Sequence, residues 1–193
     1  MEDHMDPYAE QKTHQRIVII GSGAAGILAA NRLSALCYGG EFRIVVIDRI
    51  DPRDPELELL VALGLYGPHA MQPPEHLRLR QGIGFRHVEV ASVDTDRAEL
   101  CLTDGTTLGY DALVVATGLH PLPSGLADGH RFLSVDPQTF RSTTMREVFA
   151  LGPAVGPAAS ARPRAFVQAE TVARNIRRLL TEEAVSTGAA SEA

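Results

Sequence analysis

Short, almost uninterrupted apolar runs recur along this chain, and Gly- and Pro-rich stretches separate them. Runs of this kind are typical of strands that are buried on both faces of a parallel sheet. Longer Ala/Leu-rich or amphipathic stretches lie between them and indicate helices. The predicted strands are 16–20, 42–47, 112–116 and 147–151. The predicted helices are 24–38, 56–66 and 166–181, with Gly39-Gly40 ending the first of them.

Residues 84–116 show a different pattern, in which three shorter segments precede the apolar run at 112–116. The segments FRHVEVASVD, AELCLT and TTLGY predict a small antiparallel meander, with Asp104-Gly105 at a tight hairpin. Together the two patterns predict an α/β, Rossmann-like three-layer domain with an antiparallel β-meander insert. We expect a single domain over 16–181, a disordered arm over 1–15 and a disordered tail over 182–193.

The most specific motif joins the first predicted strand to the first predicted helix. Gly21, Gly23 and Gly26 have the spacing G-x-G-x-x-G within the sequence GSGAAG. A dinucleotide pyrophosphate needs a tight turn at the first glycine, close backbone approach at the second and close helix–strand packing at the third. The helix N-terminus adds unpaired N–H groups and the positive end of its dipole. The predicted pyrophosphate-binding residues are Gly21, Ser22, Gly23, Ala24, Ala25 and Gly26.

An acidic residue follows the second predicted strand at a spacing that suits the same ligand. Asp48 comes 22 residues after Gly26, where a carboxylate accepts hydrogen bonds from an adenosine ribose. An aspartate at a strand end is also an ordinary turn former, and the spacing favours the ligand role. A carboxylate here argues for a free ribose 2′-OH, whereas the neighbouring Arg49 would suit a 2′-phosphate.

The overall composition excludes several classes of function. Acidic residues outnumber basic ones by 24 to 18, which gives a net charge of −6 and no basic field for nucleic acid or an anionic membrane. No signal peptide or membrane span is predicted. Cys37 and Cys101 lack C-x-x-C spacing, so they are expected to be ordinary thiols rather than a redox pair. We therefore expect a cytoplasmic protein, and no metal site is predicted.

Three further segments complete a recognisable pattern. Ala116-Thr117-Gly118 ends a buried strand, VFALG closes at Gly152, and FVQAETVARNI spans 166–176. Together with GSGAAG, these segments resemble the FAD-dependent pyridine nucleotide-disulfide oxidoreductase superfamily. The resemblance covers most of 16–181 and is nearest to the branch of type II NADH dehydrogenases and sulfide:quinone oxidoreductases.

This resemblance implies that FAD is the cofactor and extends the predicted site. It places the FAD pyrophosphate on GSGAAG, the adenosine ribose on Asp48 and the adenine against the backbone near Val90. It also implies that the N-terminus of the last helix faces the flavin ring, where its dipole favours negative charge on the reduced flavin. The cofactor-binding residues that it implies outside the loop are Asp48, Arg49, Val90, Ala116, Thr117, Gly118, Gly152 and Gln168.

The chain departs from the family pattern at two places. The family carries an aspartate after the closing glycine, to hold the ribityl chain, but Pro153 stands there in this sequence. The family also inserts an NAD(P)H domain before the closing motif, whereas here only 30 residues separate Gly118 from Phe149. A single βαβ unit needs about 30 residues, so this stretch predicts loops and a short hairpin instead of that domain.

Two classes of function remain open at this level. The first is a FAD-dependent oxidoreductase that takes electrons from a diffusible small-molecule substrate or a partner reductase, with a homodimer as one assembly. The second is a module that holds a flavin or an ADP-containing nucleotide for a non-redox or structural role, including an inactive remnant. No catalytic residue is predicted. His120 lies near the expected flavin mouth but is more typical of a solvated loop histidine, and Glu170 suits either the ring or a first-turn acid.

Overall fold

The computed structural model describes residues 14–37, 42–49, 78–126, 130–156 and 162–190, and within the last segment the side chains of 165–182. The strands are β1 (Gln15–Ile20), β2 (Phe42–Asp48), β3 (Gly84–His87), β4 (Val90–Asp94), β5 (Glu99–Leu102), β6 (Thr107–Gly109), β7 (Ala112–Val115) and β8 (Val148–Ala150). The helices are α1 (Ala24–Leu36) and α2 (Arg162–Ala190), and a 3-10 helix spans Gly152–Val155.

The strands form a five-stranded parallel sheet and a three-stranded antiparallel sheet. The parallel sheet has the order β3-β2-β1-β7-β8, and the antiparallel sheet has the order β4-β5-β6. Alternate residues of β1 enter two cores, because successive side chains of a strand point to opposite faces. Ile17 and Ile19 pack with α1 and α2, whereas Val18 and Ile20 pack with the antiparallel sheet. The predicted three-layer α/β fold with an antiparallel insert is therefore confirmed.

One predicted strand is divided between the two sheets. The segment FRHVEVASVD was expected to lie wholly in the meander, but its first part is β3, which pairs in parallel with β2. Its second part is β4, which pairs with β5. The single-strand prediction is wrong because an alternating pattern identifies a strand without identifying its neighbour.

Both main helices differ in length from the prediction. Helix α1 ends at Leu36, two residues earlier than expected. Helix α2 runs from Arg162 to Ala190, so the predicted helix end at 181 is wrong. Alanine and glutamate, which are frequent after 181, have high helix propensity. The predicted helix 56–66 and nearly all of the predicted arm lie outside the described residues, and the domain limits remain predictions.

The last two parallel strands are neighbours in space although 32 residues separate them. Val115 ends β7 and Val148 begins β8, and the two strands pair directly. In the described part of their connection, Ser124 bridges Ser92 of β4 in parallel, and two antiparallel bridges follow, Val135 with Ser142 and Arg141 with Phe149 of β8. This is the short hairpin expected there, and the connection is too short for an NAD(P)H domain.

Candidate functional site

The three motif glycines have different structural roles. Gly21 has φ +106°, and a Cβ atom on it would overlap the carbonyl oxygen of Ala116. A Cβ atom on Gly26 would overlap the carbonyl oxygen of Gly21. At Gly23, by contrast, no described atom apart from those of the adjoining residues lies within 4 Å of the added Cβ position. Two of the glycines are thus required by packing, and the third leaves space in front of the loop.

That space belongs to a cavity of about 690 Å³ at the carboxyl ends of β1, β2 and β7. The chain leaves β1 toward β2 on one side and returns to β7 on the other, so the cavity lies at the switch point of the sheet. We call it the nucleotide cavity. The predicted site residues that line it are Gly21, Ser22, Gly23, Asp48, Arg49, Val90, Ala116, Thr117 and Gly118. The predicted site residues Ala24, Ala25, Gly26, Gly152 and Gln168 are not among its lining residues.

Helix α1 begins at this cavity. Its first helical hydrogen bond runs from Ile27 N to Gly23 O over 3.0 Å. The amides of the first turn of a helix have no partners within the helix. The loop and helix therefore direct backbone N–H groups and the positive end of a dipole toward the region of Gly23, an arrangement that suits a pyrophosphate.

Asp48 ties the loop to the end of β2. Its Oδ2 accepts hydrogen bonds from the backbone N of Ser22 over 2.6 Å and from Ser22 Oγ over 2.8 Å. The sequence predicted that this carboxylate binds a ligand, but it did not predict the hydrogen bonds to Ser22. Asp48 thus shapes the loop as well as lining the cavity at the predicted ribose position.

Thr117 supplies the clearest test of whether these residues fit a bound dinucleotide. Its Oγ1 is buried and has no hydrogen-bond partner among the described residues, and Thr117 lines the nucleotide cavity. A buried hydroxyl without a partner is costly, so native proteins rarely leave one. Together with the space at Gly23, this unpaired hydroxyl fits a ligand that carries polar groups into the cavity.

Gly152 and Gln168 form a contact outside the residues that line the nucleotide cavity. Gln168 Oε1 accepts a hydrogen bond of 2.7 Å from Gly152 N, and both residues are buried. A Cβ atom on Gly152 would lie 3.2 Å from Ala25 Cβ, which places this glycine beside the first turn of α1. Pro153 lies at the start of the 3-10 helix, where a backbone N–H would have no partner within the helix, so proline is tolerated there.

Glu170 lies against α1 rather than in the nucleotide cavity. Its carboxylate forms an ion pair with Arg32, and its Oε1 also lies 2.7 Å from Arg174 Nε. The hydrogen bond from Arg32 holds the pKa of Glu170 below its ordinary value, and the charges of both arginines act in the same direction. The position is well inside α2, so Glu170 is not a first-turn acid, and its carboxylate is engaged in joining the two helices.

His87 and the loop 121–124 were absent from the sequence prediction, whereas Arg49 was a predicted cofactor-binding residue and His120 was expected near the flavin mouth. His120 Nδ1 lies 3.0 Å from Arg49 Nη2, and His87 Nε2 lies 2.7 Å from the carbonyl oxygen of Arg49. The loop 121–124 also lines the cavity. The spacing of His87 and of the loop 121–124 could not identify them, because they reach the cavity only when β2, β3 and the segment after β7 come together. Cys37 and Cys101 do not form a disulfide bond with each other.

A model of the family named pyridine nucleotide-disulphide oxidoreductase matches residues 15–147. The chain belongs to this family. Putidaredoxin reductase CamA of Pseudomonas putida is 29% identical over 123 residues, which are 60% of this chain and 28% of that protein. Demethylphylloquinone reductase NdbB of a Synechocystis strain is 36% identical over 124 residues, which are 58% of this chain and 31% of that protein.

The fold likeness extends beyond the matched family segment. The structure of a thioredoxin reductase from Gloeobacter violaceus superposes with a TM-score of 0.63 at 12% identity, over 89% of this chain and 97% of that one. The superfamily predicted from the sequence is thus confirmed, and FAD is its cofactor. The chain spans less than a third of the length of the two curated relatives. No helix in the described segments is long and apolar enough to cross a membrane.

Proposed function

We propose that this protein binds FAD with its adenosine and pyrophosphate in the nucleotide cavity and passes electrons from a diffusible donor or a partner reductase. The observation that carries the proposal is the pairing of open space at Gly23 with the unpaired buried hydroxyl of Thr117 in one cavity. The space at Gly23 accommodates phosphate oxygens near backbone N–H groups. The Thr117 hydroxyl offers the ligand a hydrogen bond, since no described residue is bonded to it.

Different residues would bind different parts of FAD. The backbone of 21–26 would hold the pyrophosphate, Asp48 the ribose, and the backbone near Val90 the adenine. When bound, FAD supplies hydride and single-electron chemistry, while the protein contributes binding, orientation and exclusion of competing reactions. Gly152, whose amide donates to Gln168, lies beside the first turn of α1.

The connection between β7 and β8 supports the proposed source of the electrons. Because that connection is too short for an NAD(P)H domain, we propose that a hydride reaches the flavin from a diffusible molecule or from a separate reductase. The names of the two curated relatives specify reductases of putidaredoxin and of demethylphylloquinone. A redox protein or a quinone is therefore a reasonable class of partner to test. The proposal includes a cytoplasmic location and leaves a homodimer open.

The visible spectrum of the purified protein tests this function directly. The protein should be yellow or take up added FAD, and its flavin band should bleach when an electron donor is added without oxygen. NADH alone and NADH with a ferredoxin reductase are the two donors to compare. Gly23→Val is the matched control, because its side chain would fill the phosphate space. A protein that stays colourless and takes up no FAD would contradict the proposal.

A second candidate function is a module that holds only an ADP-containing nucleotide. It is favoured by one observation, that Gly152 and Gln168 do not line the nucleotide cavity and Gln168 Oε1 is engaged by a backbone amide. Calorimetric titration with FAD and with ADP distinguishes the two candidates. Clearly tighter binding of FAD supports the flavoprotein, whereas equal affinities mean that the flavin half makes no contact and support the module.

A further inference from the structure

An exposed side-chain pair lies at the rim of the nucleotide cavity, beside Asp48, the predicted ribose ligand. Arg49 directly follows Asp48 at the end of β2, and His120 lies just after Thr117-Gly118 at the end of β7. Arg49 Nη2 lies 3.0 Å from His120 Nδ1, within hydrogen-bond distance. Both residues are exposed and both line the cavity.

The backbone of Arg49 is held from a third element. His87, which ends β3, places its Nε2 2.7 Å from the carbonyl oxygen of Arg49. Among the described residues, the other titratable groups beside the pair are Asp48 at the end of β2 and Glu89 before β4, which also line the cavity, and His87 at the end of β3, which contacts the carbonyl oxygen of Arg49.

The contact between the two side chains depends on the protonation of His120. Arginine has only donors and stays charged, so Arg49 donates and Nδ1 of His120 must accept. A neutral imidazole can accept at Nδ1 when its proton is on Nε2, whereas an imidazolium has no acceptor. Protonation would therefore remove the hydrogen bond and place a second positive charge beside Arg49.

We propose that His120 is a positioning residue whose neutral ring holds the guanidinium of Arg49 at the cavity mouth, where Arg49 binds a phosphate of the nucleotide. Guanidinium groups bind phosphate through several fixed donors, and a side chain held in place loses less entropy on binding. The inference rests on the proposed function, since it concerns how that cavity holds an ADP-containing ligand. Nucleotide affinity should then fall as His120 takes up its second proton.

The test measures dissociation constants for FAD and for ADP from about pH 5.5 to about pH 8, the range that spans the ordinary histidine pKa. Four variants accompany the wild-type protein. His120→Asn keeps an acceptor near the position of Nδ1 but does not titrate, and His120→Ala removes the acceptor. His130→Asn alters another exposed histidine, which does not line the cavity. His87→Gln shows whether the pH dependence comes from His87 instead.

We expect His120→Ala to bind both ligands about threefold to tenfold more weakly at pH 8, the effect of one hydrogen bond to a charged group at an exposed site. Wild-type protein should weaken by a similar factor on acidification, and His130→Asn and His87→Gln should keep that pH dependence. His120→Asn should bind tightly at pH 8 and show a flat profile.

Three results would overturn the inference while leaving FAD binding intact. One is a flat wild-type profile, and another is a His120→Asn variant as weak as His120→Ala. The third is tighter binding on acidification, which would mean that protonated His120 contacts the phosphate itself. If the wild-type protein binds neither FAD nor ADP at pH 8, the proposed function fails first.

Discussion

Gln168 Oε1 accepts a 2.7 Å hydrogen bond from Gly152 N in the interior of the protein, between α2 and the turn after β8. Gln168→Leu would keep the volume but leave a buried N–H without a partner. We expect this change to lower the free energy of unfolding by about 1–3 kcal/mol in urea titrations. Arg177→Gln, on the exposed face of the same helix, should stay within about 0.5 kcal/mol of wild type. Equal stability of the two variants would contradict the structural role of Gln168.

Substitutions of the loop glycines should give two different phenotypes. Gly21→Ala and Gly26→Ala would drive a Cβ atom into backbone oxygens, so we expect each to lower the free energy of unfolding by at least about 2 kcal/mol. Gly23 has φ −63° and open space at its Cβ position, so Gly23→Val should fold normally yet fail to take up FAD. Urea titration and FAD titration of all three variants check this. Unchanged FAD affinity of Gly23→Val would place the phosphates elsewhere.

Removal of the Thr117 hydroxyl should affect folding and binding in opposite directions. In the free protein, Thr117→Val deletes a buried group without a partner, so stability should stay level or rise by up to about 1 kcal/mol. With FAD, the lost hydrogen bond should weaken affinity about threefold to tenfold. Thermal unfolding with and without FAD measures both effects together. A strongly destabilised free protein would show that the hydroxyl serves the fold.

Pro153 allows a gain-of-affinity experiment. An aspartate stands at this position in the family pattern, and the start of a helical turn accepts an acidic side chain well. Pro153→Asp should tighten FAD binding by about one to two orders of magnitude if the loop follows the family geometry. Pro153→Asn is the matched control, because it removes the proline without adding charge. Equal gains in FAD affinity in the two variants would mean that removal of the proline ring, and not the added carboxylate, tightens binding.

The ion pairs of Glu170 should contribute stability only when the carboxylate is charged. Arg32 lowers the pKa of Glu170 in the folded protein below the ordinary value of 4.5. A lowered pKa means that the contribution is complete above the unfolded value and is lost as pH falls through the folded one. The stability difference between wild type and Glu170→Gln should thus be largest near neutral pH and shrink below about pH 4.5. Urea titrations along this range provide the measurement, and a difference that grows on acidification would contradict the assignment.

Much of the fold follows from local patterns. The runs at 17–20 and 112–115 are apolar at every position, a pattern expected of strands that are covered on both faces. All of these residues are buried in the structure. The motif glycines sit where their spacing demands, between β1 and α1. The segment 84–94 shows the limit of such patterns. Its residues favour extended backbone, but its division between two sheets depends on which strand edges remain open after the other elements have packed.

The sequence by itself therefore determined the layered α/β architecture, the phosphate-binding loop and the acidic residue after β2, because each depends on periodicity or on short fixed spacings. The tertiary structure decided which side chains meet. It engaged Gln168 with Gly152 and Glu170 with Arg32, and it joined Arg49 to His120 across the cavity mouth. The last two contacts join residues 138 and 71 positions apart. Such partners are set by how helices and strands pack, and local pattern does not encode that packing.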